Sequence, residues 1–209
     1  MTWVDDDNGD PTRKTRAGYA SRGPMADDRD LNSNADFHER LHRYEERMHP
    51  LYALGFDGAK LTLQENGEPI MSWPAVSGRP GTQGPEYQSY RDHGPPPQGS
   101  YRANVSEMQR YEDLSDVDKL IAPLDHGPWA GDTAAWGRHR LWLKPNPSTQ
   151  TFGRDDFSIH GGWIPGSAGC IDLTSEMDDF ADLMQALGQD EVDVQVDYGW
   201  QGAPNHRRR

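Results

Sequence analysis

The 209-residue sequence has little of several features that define common protein classes. It contains a single cysteine, Cys170, so no intramolecular disulfide can form and no Cys-x-x-Cys pair can bind zinc or exchange thiols. Apolar residues make up 33% of the chain, and no segment approaches the roughly 20 apolar residues that a membrane-spanning helix needs. The sequence therefore excludes a disulfide scaffold, predicts no membrane insertion, and says nothing about the redox compartment.

Positive charge is also scarce. The chain has 21 Lys and Arg residues against 34 Asp and Glu residues, for a formal net charge of −13. Because each phosphate contact needs a Lys or Arg, this balance argues against a nucleic-acid binder or a binder of anionic membranes. The N-terminus lacks the basic start and apolar run of a secretory signal, so we expect the protein to be made in the cytoplasm.

The two ends of the chain differ in composition. Residues 1–45 are rich in Asp, Arg, Asn and Ser, and this polarity predicts a flexible N-terminal tail, which we interpret as a possible handle for secretion. A short helix is predicted within residues 36–48, where Phe37, Leu41 and Tyr44 recur at helical spacing. Residues 46–209 have the length of one domain, and 22 Gly with 16 Pro favour a loop-rich β protein.

Hydrophobic periodicity predicts seven strands, with a tight hairpin turn at Asn66-Gly67. The strands are predicted at residues 59–65, 68–76, 100–105, 138–145, 156–162, 170–173 and 192–198. Residues 106–137 read as an inserted loop or lid with one short helix at 113–121, and the clearest helix covers 174–189. The predicted fold class is mainly β (α+β), with one or two short helices.

No metal or cofactor site is predicted. His93 and His126 each follow an Asp but lack compact ligand spacing, so we interpret them as surface loop histidines. The Gly-rich loops also lack the Lys-Ser/Thr ending of a phosphate cradle, which argues against nucleotide binding.

The strongest chemical signal is the stretch from His160 to Cys170, HGGWIPGSAGC. A thiol nucleophile needs a nearby base, amide groups aimed at the oxyanion that it creates, and space for the substrate. His160 is predicted to end one strand and Cys170 to open the next, so adjacent strand ends would bring imidazole and sulfur together. The amides of Ala168, Gly169 and Cys170 are candidate oxyanion donors. The alternative is a cysteine that only packs in the core.

The sequence IHGGWIPGSAGCIDL resembles the signature of YkuD-type L,D-transpeptidases, and it looks closest to the type VI secretion effectors of that fold, which attack peptidoglycan. Weaker resemblances occur in LTLQENGEPIMSWPAVSGRPG, GPPPQGSY and TFGRDDFSIHGG, so the similarity runs from about residue 51 to 198. The resemblance implies a YkuD-like β-sandwich or barrel without a cofactor. It also implies catalytic roles for Cys170, His160 and Ser167.

The same resemblance implies a function. Cys170 would attack a peptidoglycan stem peptide and form a thioester, acting as an L,D-carboxypeptidase, an L,D-transpeptidase, or both. A protein made without an export signal that acts on the cell wall fits an antibacterial effector, delivered to the periplasm of a target bacterium by a type VI secretion apparatus and paired with an immunity protein. Two alternatives stay open: a non-catalytic peptidoglycan-binding module and a housekeeping cross-linking transpeptidase.

One position departs from the common signature. The usual form continues Cys-Ile-Arg, whereas this chain has Asp172 after Cys170-Ile171. If the missing arginine normally steadies the substrate or the turn, Arg154, Arg79 or Arg140 must replace it, and we favour Arg154 because it lies just before the histidine strand. The predicted substrate-binding residues are Arg154, Gly161, Gly162 and Trp163.

Overall fold

A computed structural model describes residues 28–48, 50–199 and 201–202. These residues fall into two compact units that divide between Tyr44 and Glu45. The first 27 residues of the predicted tail lie outside the described residues. Among those helices that are described, none combines the length and apolar character needed to cross a lipid bilayer.

The first described element is a helix, α1, at Asp28–Met48. It is longer than the helix predicted within residues 36–48, and it extends into the segment predicted to be flexible. Its surface carries ion pairs one turn apart, Asp36 with Arg40 and Glu39 with Arg43, which each contribute only a few tenths of a kcal/mol, about 0.3 to 0.5, to a helix.

The second unit is built on one mixed sheet of nine strands. The strands are β1 Tyr52–Phe56, β2 Lys60–Glu65, β3 Glu68–Pro74, β4 Gly99–Asn104, β5 Gln109–Arg110, β6 His139–Pro145, β7 Phe157–His160, β8 Ile171–Asp172 and β9 Glu191–Val196. Their order across the sheet is β3-β2-β1-β9-β4-β6-β7-β8, and β5 pairs with β6 at the side. The predicted fold class, mainly β with short helices, is confirmed.

The turn between β2 and β3 forms as its sequence predicts. Asn66 and Gly67 both adopt positive φ angles, 52° and 86°, which a two-residue hairpin turn requires and which Asn-Gly tolerates. The strands on either side pair antiparallel. This hairpin forms one edge of the sheet.

Three helices accompany the sheet, α2 Asp116–Ile121, α3 Asp132–Trp136 and α4 Met177–Leu187. The first is shorter than predicted and α3 was not predicted, because its five residues are too few to show helical periodicity. α4 follows a 3-10 turn at Thr174–Glu176, so the α-helix begins later than residue 174.

The core lies between α4 and one face of the sheet. Every second residue of β9 is buried, at Val192, Val194 and Val196, as expected for a strand with one covered face. Phe180 of α4 meets Trp73 of β3 edge to face, with ring centroids 5.2 Å apart. Each such buried side chain stabilises the fold by roughly 1.5 to 3 kcal/mol.

The two edges of the sheet meet beside the cysteine. Val76, just beyond β3, exchanges backbone hydrogen bonds with Asp172 of β8 at 3.0 and 2.8 Å. This bridge bends the sheet into a half-barrel and fixes the strand that follows Cys170.

Candidate active site

Strand register collects the polar residues of β6, β7 and β8 on one face. His160 lies opposite Arg140 of β6 and beside Asp172 of β8. Because side chains alternate along a strand and paired residues share a face, Ser158 and Cys170 belong to the same side. The intervening Leu141, Ile159 and Ile171 point into the core.

The Cys170 thiol is buried, with 2% of the residue exposed, but its surroundings are polar. Ser158 Oγ donates to Cys170 Sγ at 3.2 Å. The carbonyl oxygens of Asp156 and Ala168 each lie 3.8 Å from the sulfur. This environment differs from the apolar packing of a structural cysteine.

The His160 imidazole is oriented by the chain that follows it. Its Nδ1 lies 2.5 Å from Gly161 O, a carbonyl that can only accept, so Nδ1 carries the proton and donates. Nε2 is then the nitrogen left for the thiol. Nε2 is buried and forms no hydrogen bond in the structure, yet His160 and Cys170 interact strongly enough to shift each other's pKa.

The two groups stabilise each other in the charged form. Burial raises the pKa of Cys170, but hydrogen bonding and charge from His160, with hydrogen bonds from Ser158 and Ser167, outweigh burial and lower it. Burial lowers the pKa of His160, but Cys170, the Gly161 carbonyl and Asp172 outweigh burial and raise it. This arrangement favours a thiolate beside an imidazolium, the reactive form of a cysteine nucleophile.

Ser167 and the following amides form the turn before Cys170. The Ser167 side chain makes the smallest of the contributions that lower the pKa of Cys170, after those of His160 and Ser158. The Ser167 carbonyl accepts from Gly78 N at 2.9 Å and from Cys170 N at 3.4 Å. The Gly169 amide donates to Gly94 O at 2.9 Å. The predicted oxyanion roles of the Gly169 and Cys170 amides would require these two bonds to break, and the role of Ala168 stays a prediction.

Arg154 lies behind the cysteine turn. Its guanidinium donates to Gln88 O and Pro95 O at 2.5 and 2.6 Å and to Gly94 O at 2.8 Å. A Cβ on Gly169, where φ is +80°, would lie 3.0 Å from Arg154 Nη2. Arg154 therefore braces the 88–95 loop against the cysteine turn, and its contact with substrate stays a prediction.

A second buried arginine, Arg140, lies on the other side of the site. Its guanidinium carbon is 4.5 to 4.6 Å from the ring centroids of Trp129, Trp136 and Trp142. Burial lowers the pKa of Arg140, and the neighbouring Cys170 and Asp156 partly offset this effect. Arg140 and Arg154 are thus the cations near the thiol, whereas Arg79 is exposed.

Helix α3 covers the histidine. The Trp136 ring lies 5.0 Å from the His160 ring, and the Trp136 and Ala134 carbonyls accept from the Gly161 and Trp163 amides at 3.2 and 2.8 Å. Gly162, at φ 142°, would place a Cβ 2.8 Å from Ala135 O. Gly162 therefore allows the loop to pack closely under α3, and Gly161 allows it to pack against Thr174 and Met177.

A cleft of about 920 Å³ lies next to this covered site. Gly162, Trp163 and Thr174 line it, with Arg138 and Asp178 on the other side, but Cys170 and His160 do not. The cleft is therefore an approach to the histidine end of the site rather than the reaction centre. Trp163 is 86% exposed there, which suits its predicted contact with substrate.

Two residues of the site escaped the sequence analysis. Ser158 precedes His160 by two positions, so strand alternation alone could have placed it on the same face. Asp172 was noted only as the position where the common signature has an arginine. Its carboxylate is fully buried and accepts hydrogen bonds from Gly166 N and Thr174 N. Among the residues that the structure describes, no group of three or more His, Cys, Asp or Glu could hold a metal ion.

A buried cysteine whose pKa is lowered by a neighbouring histidine is typical of cysteine nucleophile sites. The family model of the YkuD L,D-transpeptidase catalytic domain matches residues 57–196. The chain belongs to this family, and the matched range includes Ser158, His160 and Cys170. No curated protein sequence matches the chain at a significant level.

Solved structures of L,D-transpeptidases match part of the chain at low sequence identity. Mycobacterium tuberculosis L,D-transpeptidase 1 is 17% identical, with 70% of this chain and 62% of that chain covered and a TM-score of 0.38. An L,D-transpeptidase from Mycobacterium smegmatis is 17% identical over 71% and 58% of the two chains, with a TM-score of 0.33. The catalytic domain of an E. faecium L,D-transpeptidase, acylated by ertapenem, is 14% identical over 71% and 96%, with a TM-score of 0.33. The chain thus spans about three fifths of the two mycobacterial proteins.

Proposed function

We propose that the protein is a cysteine acyl-transfer enzyme that acts on peptidoglycan stem peptides. The observation that carries the proposal is the Cys170–His160 pair, in which each group shifts the pKa of the other toward the ion pair. Family membership supplies the substrate class. Arg140 and Arg154 support the proposal, because the charges of both buried guanidinium groups interact favourably with an ionised Cys170.

In the proposed reaction, the Cys170 thiolate attacks the carbonyl of the third stem residue and forms a tetrahedral oxyanion. His160 gives its proton to the departing amine, D-alanine leaves, and a thioester joins the peptide to Cys170. Water or an incoming amine then releases the acyl group and restores the thiol. Water gives an L,D-carboxypeptidase, and an amine of a D-amino acid or of a second stem gives an L,D-transpeptidase.

The test uses muropeptides that carry tetrapeptide stems. Wild-type protein is expected to release D-alanine, detected by mass spectrometry, and to gain the mass of the acyl group on Cys170. The Cys170→Ala variant is expected to lose at least about a thousandfold in rate, because the nucleophile is absent. Binding of muropeptide without loss of D-alanine would instead identify a non-catalytic binding module.

We also propose that the enzyme acts as an antibacterial effector delivered to the periplasm of a target cell, with a cognate immunity protein in the producer. The resemblance of the His160–Cys170 stretch to the type VI secretion branch supports this proposal. Expression in bacteria with an added periplasmic signal is expected to be toxic, and expression without that signal is not. Toxicity restricted to the cytoplasm, or equal toxicity of Cys170→Ala, would contradict it, and a harmless periplasmic enzyme would favour the housekeeping alternative.

A further inference from the structure

Asp172 has the structural features of a functional carboxylate. It is 0% exposed, and among the described residues it forms no ion pair with Lys or Arg. A buried carboxylate without a cation is costly unless hydrogen bonds compensate for its lost hydration. Such a residue is retained where its charge or its bonds are needed.

The two carboxylate oxygens join the turns on either side of Cys170. Oδ2 accepts from Gly166 N at 3.0 Å, in the loop before the cysteine. Oδ1 accepts from Thr174 N at 2.8 Å, in the turn after it. Thr174 adopts a positive φ of 51°, a strained value for a β-branched residue, and the bond to Asp172 helps to hold it.

The same side chain neighbours the catalytic histidine. Asp172 and His160 are directly paired on the parallel strands β8 and β7, so their side chains lie on one face about 5 Å apart at the backbone. The charged or titratable groups next to His160 are Asp172 and Cys170 on the β8 side and Arg140 on β6. Helix α3 packs its Trp136 ring against the imidazole and begins at Asp132. Asp172 is thus the fixed negative charge of this set.

We propose that Asp172 is a positioning residue of the active site: it ties together the turns that flank Cys170 and places its negative charge on the strand face that carries the His160 imidazole. Against the effect of burial, Cys170 and the Gly161 carbonyl raise the pKa of His160 most, and the further contribution of Asp172 to this shift agrees with the positioning role. It also explains why the chain has an acid where the common signature has an arginine, since Arg140 and Arg154 already place cations by the thiol.

The positioning role of Asp172 rests on the proposed function. Its test measures the ionisation state of His160 and needs no substrate, so the positioning role and the proposed function can each fail without the other. The ring resonances of His160 are followed against pH by NMR in protein with labelled histidine. The resonances that disappear in the His160→Gln variant are assigned to His160. In Asp172→Asn the titration midpoint of His160 is expected to fall by about one pH unit. An unchanged midpoint in a folded Asp172→Asn protein would overturn the electrostatic role.

The matched control is Asp178→Asn. Asp178 is the carboxylate partner of His139, with Oδ1 2.8 Å from Nδ1, so this variant removes an acid from a different histidine. It is expected to leave the His160 midpoint in place. An equal shift of His160 in both variants would mean that the effect is general rather than specific to Asp172.

A second measurement uses the wild-type protein and therefore does not depend on the folding of a variant. The amides of Gly166 and Thr174 donate to Asp172, and they are expected to exchange with deuterium at least about tenfold more slowly than the amide of exposed Gly81. Exchange of both amides as fast as that of Gly81 would contradict the positioning role.

Discussion

Ser158 Oγ donates a hydrogen bond to Cys170 Sγ at 3.2 Å. The two residues precede the paired Ile159 and Ile171 on the parallel strands β7 and β8, so their side chains lie on the same face of the sheet. A hydroxyl in this position stabilises the thiolate more than the thiol, because a charged acceptor binds a donor more strongly. Ser158 is therefore part of the machinery that activates the cysteine.

Ser158→Ala is expected to raise the pKa of Cys170 and to slow its alkylation below the titration midpoint. A hydrogen bond to a charged group contributes about 1.5 kcal/mol, which corresponds to about a tenfold lower rate. The rate of reaction with iodoacetamide measures this directly, since Cys170 is the only cysteine. Ser72→Ala, on an exposed stretch of β3, is the control and is expected to react like wild type; equal rates in both variants would exclude the role of Ser158.

The pH dependence of the thiol follows from the two shifts. The lowered pKa of Cys170 keeps the thiolate reactive below the ordinary thiol value of 9.0, and the thiolate is lost only as pH falls through the lowered value. The raised pKa of His160 keeps the imidazolium present above its ordinary value of 6.5, until pH rises through the raised value. Activity is therefore expected to be bell-shaped between these two limits.

The same shifts contribute to folding stability. The Cys170 contribution is fully present above the pKa of the unfolded thiol and is lost as pH falls through the folded value. The His160 contribution to stability is fully present below the pKa of the imidazole in the unfolded chain and is lost as pH rises through the pKa in the folded protein.

In His160→Gln, alkylation is expected to require a markedly higher pH, whereas an unchanged alkylation profile would show that the imidazole does not activate the thiol.

Local patterns predicted the parts of the site that depend on neighbours in sequence. The Asn66-Gly67 hairpin, the strand ending at His160 and the turn before Cys170 all follow from residue types within a few positions. The roles of Arg154 and Arg140 do not, because their partners lie far along the chain, and the hydrogen bonds of Asp172 to Gly166 and Thr174 are near in sequence but follow no recognisable pattern. Arg154, for example, bonds to carbonyls about 60 residues earlier, and no local pattern encodes that contact.

Arg154→Lys is expected to destabilise the fold. Lysine cannot reproduce the planar set of donors that reaches Gln88, Gly94 and Pro95, so buried carbonyls would lose their partners. We expect a loss of about 3 kcal/mol in the free energy of unfolding, measured by urea denaturation. Arg79→Lys changes an exposed arginine in the same way and is expected to be neutral. Equal midpoints for both variants would show that Arg154 does not brace the loop.

Trp136→Ala tests whether α3 restricts access to the thiol. The Trp136 ring lies against both the His160 ring and the Arg140 guanidinium, so its removal weakens the contact that keeps α3 over the site. If the Trp136–Arg140 contact contributes about 1.4 kcal/mol to keeping α3 over the site, within the range of a desolvated cation–π contact, its removal would raise the alkylation rate about tenfold. The rate is measured at a pH where Cys170 is fully ionised, which separates access from activation. Trp163→Ala removes an exposed ring of the same type and is expected to leave the rate unchanged; if the Trp136 variant also reacts at the wild-type rate, the thiol is reached by a path that does not involve α3.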